Sequence, residues 1–381
     1  MTDLKNLFLL DPTVTFLNHG SFGACPQPVF DTYRHWQREL ERQPVEFLGR
    51  RADALLAEAR GHIGGYLNAD PDDLIFVVNA TAGINQIARS LKLEPGDEIL
   101  TTDHEYGAVD HTWQFICGKS GARYIRHPIP LPVTSANEFV ASLWGAVTAD
   151  TKVISISHIT SPTALIFPVG EICRRAREAG ILTIIDGAHV PGQIPLDLTA
   201  LGADFYTGNF HKWLCAPKGS AFLYARRELH PLVEPLIVSW GWLPDSTFVS
   251  QNEWQGTRDL AAFLSVPAAI QFQVAHDWDT VRAGCHALAS QARGQLADMF
   301  DLTPICPDSA DWFAQMITMS LPECDPVVVK QRLYDEYCVE IPLFAWNGQN
   351  FIRASFQGYN RADDVAKLVA ALGEILAVAN A

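Results

Sequence analysis

Asp186 and Lys212 each follow a run of residues suited to a buried strand, and together they supply an amine and a carboxylate to one place. Residues 181–185 (ILTII) are apolar and β-branched, as in a parallel strand covered on both faces, and Asp186 falls where that strand would end. Residues 203–207 (ADFYT) form a second run, which passes through Gly208, Asn209, Phe210 and His211 to Lys212 and stops at Pro217-Lys218-Gly219. Small molecules bind outside the carboxyl ends of strands in open α/β sheets, so both residues are placed to meet a ligand. An amine can hold an aldehyde cofactor covalently, and a carboxylate can keep a pyridine nitrogen protonated so that the ring draws electrons. Taken alone, Lys212 could equally be a surface lysine after a strand.

Other segments offer groups for anions. Residues 73–78 (DLIFVV) read as a strand that ends in Asn79-Ala80-Thr81-Ala82-Gly83 before a helical run over 84–91. Small residues at a strand-to-helix turn leave backbone N–H groups open, and the positive end of the helix suits a phosphate, although such a turn can also be a plain N-cap. Arg353 has apolar neighbours in FIRAS (351–355), and a guanidinium can hold a carboxylate through two parallel hydrogen bonds. Near the amino end, Asn18, His19 and Gly20 sit in a glycine-rich loop that could contact a substrate or merely satisfy its own turn.

The segment 186–219 (DGAHVPGQIPLDLTALGADFYTGNFHKWLCAPKG), with LNHG at 17–20 and IRAS at 352–355, resembles the class V aminotransferase family of fold-type I enzymes. Within that family it is most similar to the isopenicillin-N-epimerase-like branch. The resemblance implies pyridoxal 5'-phosphate as cofactor, with Lys212 holding it, Asp186 pairing with its ring nitrogen and His189 reaching its phenolic oxygen. It assigns the phosphate to Ala80, Thr81 and Ala82, to Asn209 and His211, and to Thr257 reaching across a homodimer whose active sites are shared. His104, in DHEYG (103–107), matches the ring that stacks on the cofactor, with Tyr106 in reserve. Arg353 becomes the clamp for an α-amino acid carboxylate, and Asn18, His19 and Gly20 become substrate contacts. Many relatives carry Asn where this chain has Ser161. Cysteine desulfurases of the family carry a thiol before the clamp arginine, and residues 345–350 contain no cysteine, so sulfur transfer is set aside. The branch implies epimerisation at Cα, with Cβ–S lyase activity or transamination as alternatives, and a second acid to be sought among His19, Cys25 and His104.

The elements that must position these groups alternate in βαβ fashion. Further strands are expected at 98–102, 122–127, 152–157 and 220–224, with helices over 29–66 broken at Pro44, 137–147, 260–275 and 363–378. The expected fold is α/β, with a seven-stranded mostly parallel sheet over residues 16–258, a smaller α+β domain over 259–381 and residues 1–15 as an arm. The 381 residues carry a formal charge of −15, which argues against nucleic acid or an anionic membrane as partner. Eight scattered cysteines show no spacing for zinc or a disulfide framework, and no metal site is expected. No basic stretch leads into an apolar one near residue 1, so the expected location is the cytoplasm.

Overall fold

The computed structural model describes residues 4–379, so residues 1–3 of the expected arm and residues 380–381 lie outside the described residues. After β1 (Thr15–Phe16), seven strands build the main sheet: β2 (Leu74–Val77), β3 (Glu98–Thr102), β4 (Arg123–His127), β5 (Thr151–Ser157), β6 (Leu182–Asp186), β7 (Phe205–Asn209) and β8 (Ala221–Ala225). Their order is β2-β8-β7-β6-β5-β3-β4. The pairings among β3, β4, β5, β6 and β7 are parallel, whereas β8 runs antiparallel to both β2 and β7. A second sheet of order β11-β12-β9 is antiparallel, built from β9 (Met316–Ser320), β11 (Leu343–Trp346) and β12 (Gln349–Ser355). Between them in the chain, β10 (Val339–Glu340) pairs parallel with β1, which ties the amino-terminal segment to the second sheet's region.

The central strands are almost wholly buried because helices cover both faces. Ile185, Tyr206 and Phe222 pack into the cluster on one face, and Ile184, Phe205 and Leu223 into that on the other. Each such side chain contributes about 2 kcal/mol by leaving water. The helices end where their sequences dictate. Asn79 caps Ala80–Ser90 by accepting the Ala82 N–H at 2.8 Å. Gly180, at φ 71°, closes Val169–Ala179 in the left-handed conformation that a Cβ disfavours.

Where the observed bounds differ from the expected ones, they bear on the site. The strand expected at 203–207 runs two residues later, to Asn209, and that at 181–185 runs to Asp186. Asp186 therefore belongs to a strand end rather than to a loop, and Lys212 follows three residues after the other strand. The helix expected over 260–275 is two pieces, Ala261–Leu264 and Val266–Ala275, because Pro267 cannot donate the hydrogen bond that would join them. The break expected at Pro44 separates Gln27–Arg42 from Pro44–Glu46, and a wide turn at Phe47–Arg51 leads into Ala52–Leu67.

Candidate active site

A cavity of about 310 Å³ opens at the carboxyl ends of β5, β6 and β7, with Ser157, Asp186 and Asn209 in its wall. Lys212 reaches it from the turn after β7, and Arg353 from β12 on the far side. Two segments distant in sequence close it: Asn79–Thr81 at the start of a helix, and Gly20–Phe22 in the short helix His19–Phe22. Gly23 follows with φ 70°, and a Cβ there would lie 2.0 Å from the His211 carbonyl, so only glycine lets the amino-terminal segment press on the lysine turn.

The Lys212 amine lies 3.1 Å from His189 Nε2. Its pKa falls to about 7, first because burial penalises the ammonium and then because the Arg353 guanidinium repels it, while Asp186 opposes the shift. Asp186 is 5% exposed and accepts the Ala188 N–H at 2.9 Å. Burial raises its pKa, and that backbone donor and Lys212 pull it back. Against the floor of the site lies Glu105, whose carboxylate accepts from the Ser157 N–H (2.9 Å), the Ser157 hydroxyl (2.6 Å) and the Thr102 hydroxyl (2.7 Å). Burial pushes the Glu105 carboxyl up to about 8, and the charge of Asp186 adds to the rise.

Arg353 is buried yet faces no carboxylate within ion-pair distance among the described residues. Its Nη1 donates to the Ser161 carbonyl (2.6 Å) and hydroxyl (3.1 Å), its Nη2 donates to the Ser21 hydroxyl (3.1 Å), and its Nε has no partner among the described residues. Burial lowers its pKa to about 10. A buried guanidinium held by neutral groups is a receptor for an anion, because an uncompensated buried charge is costly.

At the helix N-terminus, the Ala80 N–H is taken by Asn209 Oδ1 at 2.8 Å and the Ala82 N–H by Asn79, so the loop's expected donors are partly used in holding it together. Thr81, between them, lines the cavity, whereas Ala82 does not. His211 also lines it, with Nδ1 donating to the Ser220 carbonyl at 3.0 Å.

Five of the expected side chains stand elsewhere. His104 is fully buried, with Nδ1 2.7 Å from the Thr163 hydroxyl and Nε2 3.0 Å from the Ile129 carbonyl, and its ring packs edge-on against Trp346. Tyr106, two residues on, is half-exposed and lines the cavity in its place. His19 is also fully buried, bridging the Tyr359 hydroxyl (2.9 Å) and the Lys212 carbonyl (3.0 Å), and burial drops its pKa to about 3. Asn18 donates to Glu340 at 2.8 Å, leaving Gly20 as the one of that trio in the cavity wall. Thr257 is exposed and outside this wall. Cys25 lines a separate cavity of about 340 Å³ with Lys218, and burial pushes its thiol up to about 12, so it is no thiolate.

Sequence reasoning missed Glu105, Ser21 and the use of Ser161, since each acts through a partner far along the chain. The donor set fits a pyridine aldehyde phosphate: an amine with a lowered pKa, a buried carboxylate, a helix N-terminus with a histidine beside it, and an unpaired guanidinium for the substrate. Residues 23–368 match the family Aminotransferase class-V. The isopenicillin N epimerase of Amycolatopsis lactamdurans is 35% identical over 96% of this chain and 96% of its own. The L-cysteine desulfhydrase of Arabidopsis thaliana is 27% identical over 95% of this chain and 88% of its own. A lysine-to-alanine mutant of C-DES, solved with glycine covalently linked to its PLP cofactor, superposes with a TM-score of 0.86 at 20% identity, covering 98% of this chain and 100% of that one. The fold is therefore that of fold-type I pyridoxal phosphate enzymes, and the chain belongs to the class-V aminotransferase family.

Proposed function

We propose that this protein is a pyridoxal phosphate enzyme that removes the Cα proton of a small α-amino acid and then expels a sulfur substituent from Cβ. Bound at Lys212, the cofactor supplies an electron sink for the charge left at Cα. Arg353 fixes the substrate carboxylate through its fork of N–H groups, and Ser161 and Ser21 hold that fork in place. Asp186 would pair with the cofactor's ring nitrogen, where a carboxylate keeps that nitrogen protonated. Once the substrate's own amine has displaced it from the cofactor, Lys212, with a pKa of about 7 as the free amine, would take the Cα proton. The electron pair left at Cα would then form a Cα=Cβ bond as sulfur leaves with the Cβ–S pair and takes back the proton held on Lys212, and hydrolysis of the released product would give an α-keto acid and ammonia.

The observation that carries this reading is that one base suffices for it. Epimerisation needs a second acid on the opposite face of Cα, and His19, His104 and Cys25 all lie outside the cavity wall with their polar atoms engaged by neighbours. The cavity, at about 310 Å³, is also at the small end of ligand sites. Epimerisation remains the second reading. It is favoured by the 35% identity to an isopenicillin N epimerase and by Tyr106, whose half-exposed hydroxyl could return a proton.

NMR of the cofactor-loaded protein in D2O with S-substituted cysteines and their sulfoxides separates the two. Pyruvate and ammonia are the expected products. Appearance of the opposite stereoisomer without pyruvate would move the assignment to epimerisation, and the absence of any Cα exchange across the panel would sink both.

The reading includes a homodimer. The segment from Leu236 to Leu243 exposes Ile237, Val238, Trp240, Trp242 and Leu243, a contiguous run of large apolar side chains of the kind a subunit interface covers. Thr257, exposed in the single subunit, would complete the neighbouring subunit's phosphate site.

A further inference from the structure

Trp213 follows the reactive lysine directly and is fully buried, yet its indole N–H points back into the site, donating to His189 Nδ1 at 3.2 Å. On the other side of the same ring, His189 Nε2 lies 3.1 Å from Lys212 Nζ. The three groups form a chain in which each hydrogen bond dictates the polarity of the next.

An indole nitrogen can only donate. Its partner, Nδ1, must therefore present a lone pair, which excludes imidazolium and leaves the neutral ring with its single proton on Nε2. That proton faces the lysine, so the hydrogen bond forms only if Lys212 Nζ offers a lone pair in return. A neutral amine does this and an ammonium does not. We propose that Trp213 is a positioning residue that, through the tautomer of His189, holds Lys212 as the free amine that its chemistry requires.

The rest of the geometry keeps Trp213 in that role. Its ring packs against the buried His19 ring, with centroids 4.9 Å apart. His19 in turn donates from Nε2 to the Lys212 carbonyl and pairs through Nδ1 with the Tyr359 hydroxyl, and Gln273 donates to the Trp213 carbonyl at 3.0 Å. The lysine is thus gripped at both ends, its backbone by His19 and its amine by His189, with Trp213 touching both histidines. The titratable and charged groups around the amine are accounted for: Arg353 disfavours the ammonium, Asp186 favours it, and burial favours the neutral form of both Lys212 and His189. Among these, only the Trp213 N–H selects between the two His189 tautomers.

The inference rests on the reading that Lys212 is the reactive amine, but its test uses the full chain without cofactor, so the two can fail separately. With histidine labelled by 15N, NMR above neutral pH reads the His189 tautomer, and His189→Leu identifies the resonance. A proton on Nε2 and none on Nδ1 is expected. A proton on Nδ1 in the wild-type protein overturns the inference without any variant. Next, the rate at which a neutral acylating reagent modifies Lys212 is followed against pH by mass spectrometry. Trp213→Phe keeps an aromatic ring and removes the donor, which frees His189 to accept from an ammonium. The midpoint for Lys212 should rise by about one unit, a tenfold loss of free amine on the acid side. In the His189→Leu background the relay is already cut, so adding Trp213→Phe should shift nothing further. An unchanged midpoint in Trp213→Phe, or an equal shift in both backgrounds, would show that Trp213 acts only by packing. If Trp213→Phe does not fold, the wild-type tautomer decides.

Discussion

Arg353 and Lys212 are two basic side chains facing one cavity, and a positive charge on either comes at a cost that only a ligand or a lost proton relieves. Arg353 cannot lose its proton near neutrality, so it depends on Ser161, Ser21 and the substrate carboxylate. Arg353→Lys replaces a planar fork with a point charge and should lower kcat/KM about 100-fold, mostly through KM, since the contact is made equally in ground and transition states. Steady-state kinetics checks the split. Lys212 takes the other route. Its folded pKa of about 7 lies below its ordinary 10.5, so between those values the unfolded chain binds the extra proton and stability rises with pH, the penalty being complete below 7. In the cofactor-free protein, Lys212→Met should therefore be more stable than wild type at pH 7, with the gain shrinking toward pH 10.5. Urea denaturation across that range reads it. At this scale the meeting of Asp186, Lys212 and Arg353 at one cavity was legible from residue type and neighbours. His104 was not, because a histidine near a strand end looks the same in sequence whether its ring meets a ligand or, as here, Thr163 and the Ile129 carbonyl.

The strand ends converge because they are tied to one another, and Glu105 is one of the ties. It joins the end of β3, through Thr102, to the end of β5, through Ser157, and it precedes Tyr106 in the cavity wall. Its folded pKa of about 8 is above its ordinary 4.5, so the folded protein holds a proton across that window and loses stability as pH rises through it, the cost being complete above 8. Glu105→Gln removes the titrating group while keeping an acceptor. Its stability relative to wild type should climb from pH 4.5 to pH 8 and then level off, and a flat difference would show that Glu105 stays charged. The strands themselves could be read from apolar runs to within two residues. This tie could not, because Ser157 lies 52 residues away and only the parallel pairing of β3 with β5 brings it near. Ser161 shows the same limit: in sequence it was a missing Asn, whereas in space it holds the clamp arginine.

For the whole molecule, the amino-terminal residues, the main sheet and the second sheet meet at the cavity, so the site depends on contacts between distant parts of the chain. Gly20 and Ser21 come from one end and Arg353 from near the other, and β12 reaches the amino-terminal segment through the Ser355 N–H to the Leu17 carbonyl at 2.9 Å. No helix among the described residues is long and apolar enough to cross a membrane. The exposed Trp240 and Trp242, 86% and 58% accessible, mark the surface that the proposed dimer would cover. Replacing both with Asp should give a monomer by sedimentation velocity and weaken cofactor retention at least about tenfold, since each charge placed in an apolar interface costs more than about 1.4 kcal/mol. A dimer that survives the change would place the interface elsewhere.

The claim on which the account turns is that Lys212 is the amine that holds the cofactor. Borohydride reduction of the protein loaded with pyridoxal phosphate, followed by digestion and mass spectrometry, tests it directly. The account requires one phosphopyridoxyl group per chain, on the peptide containing His211, Lys212 and Trp213. Labelling of Lys218 or another lysine instead, or no stable uptake by the wild-type chain, would contradict it.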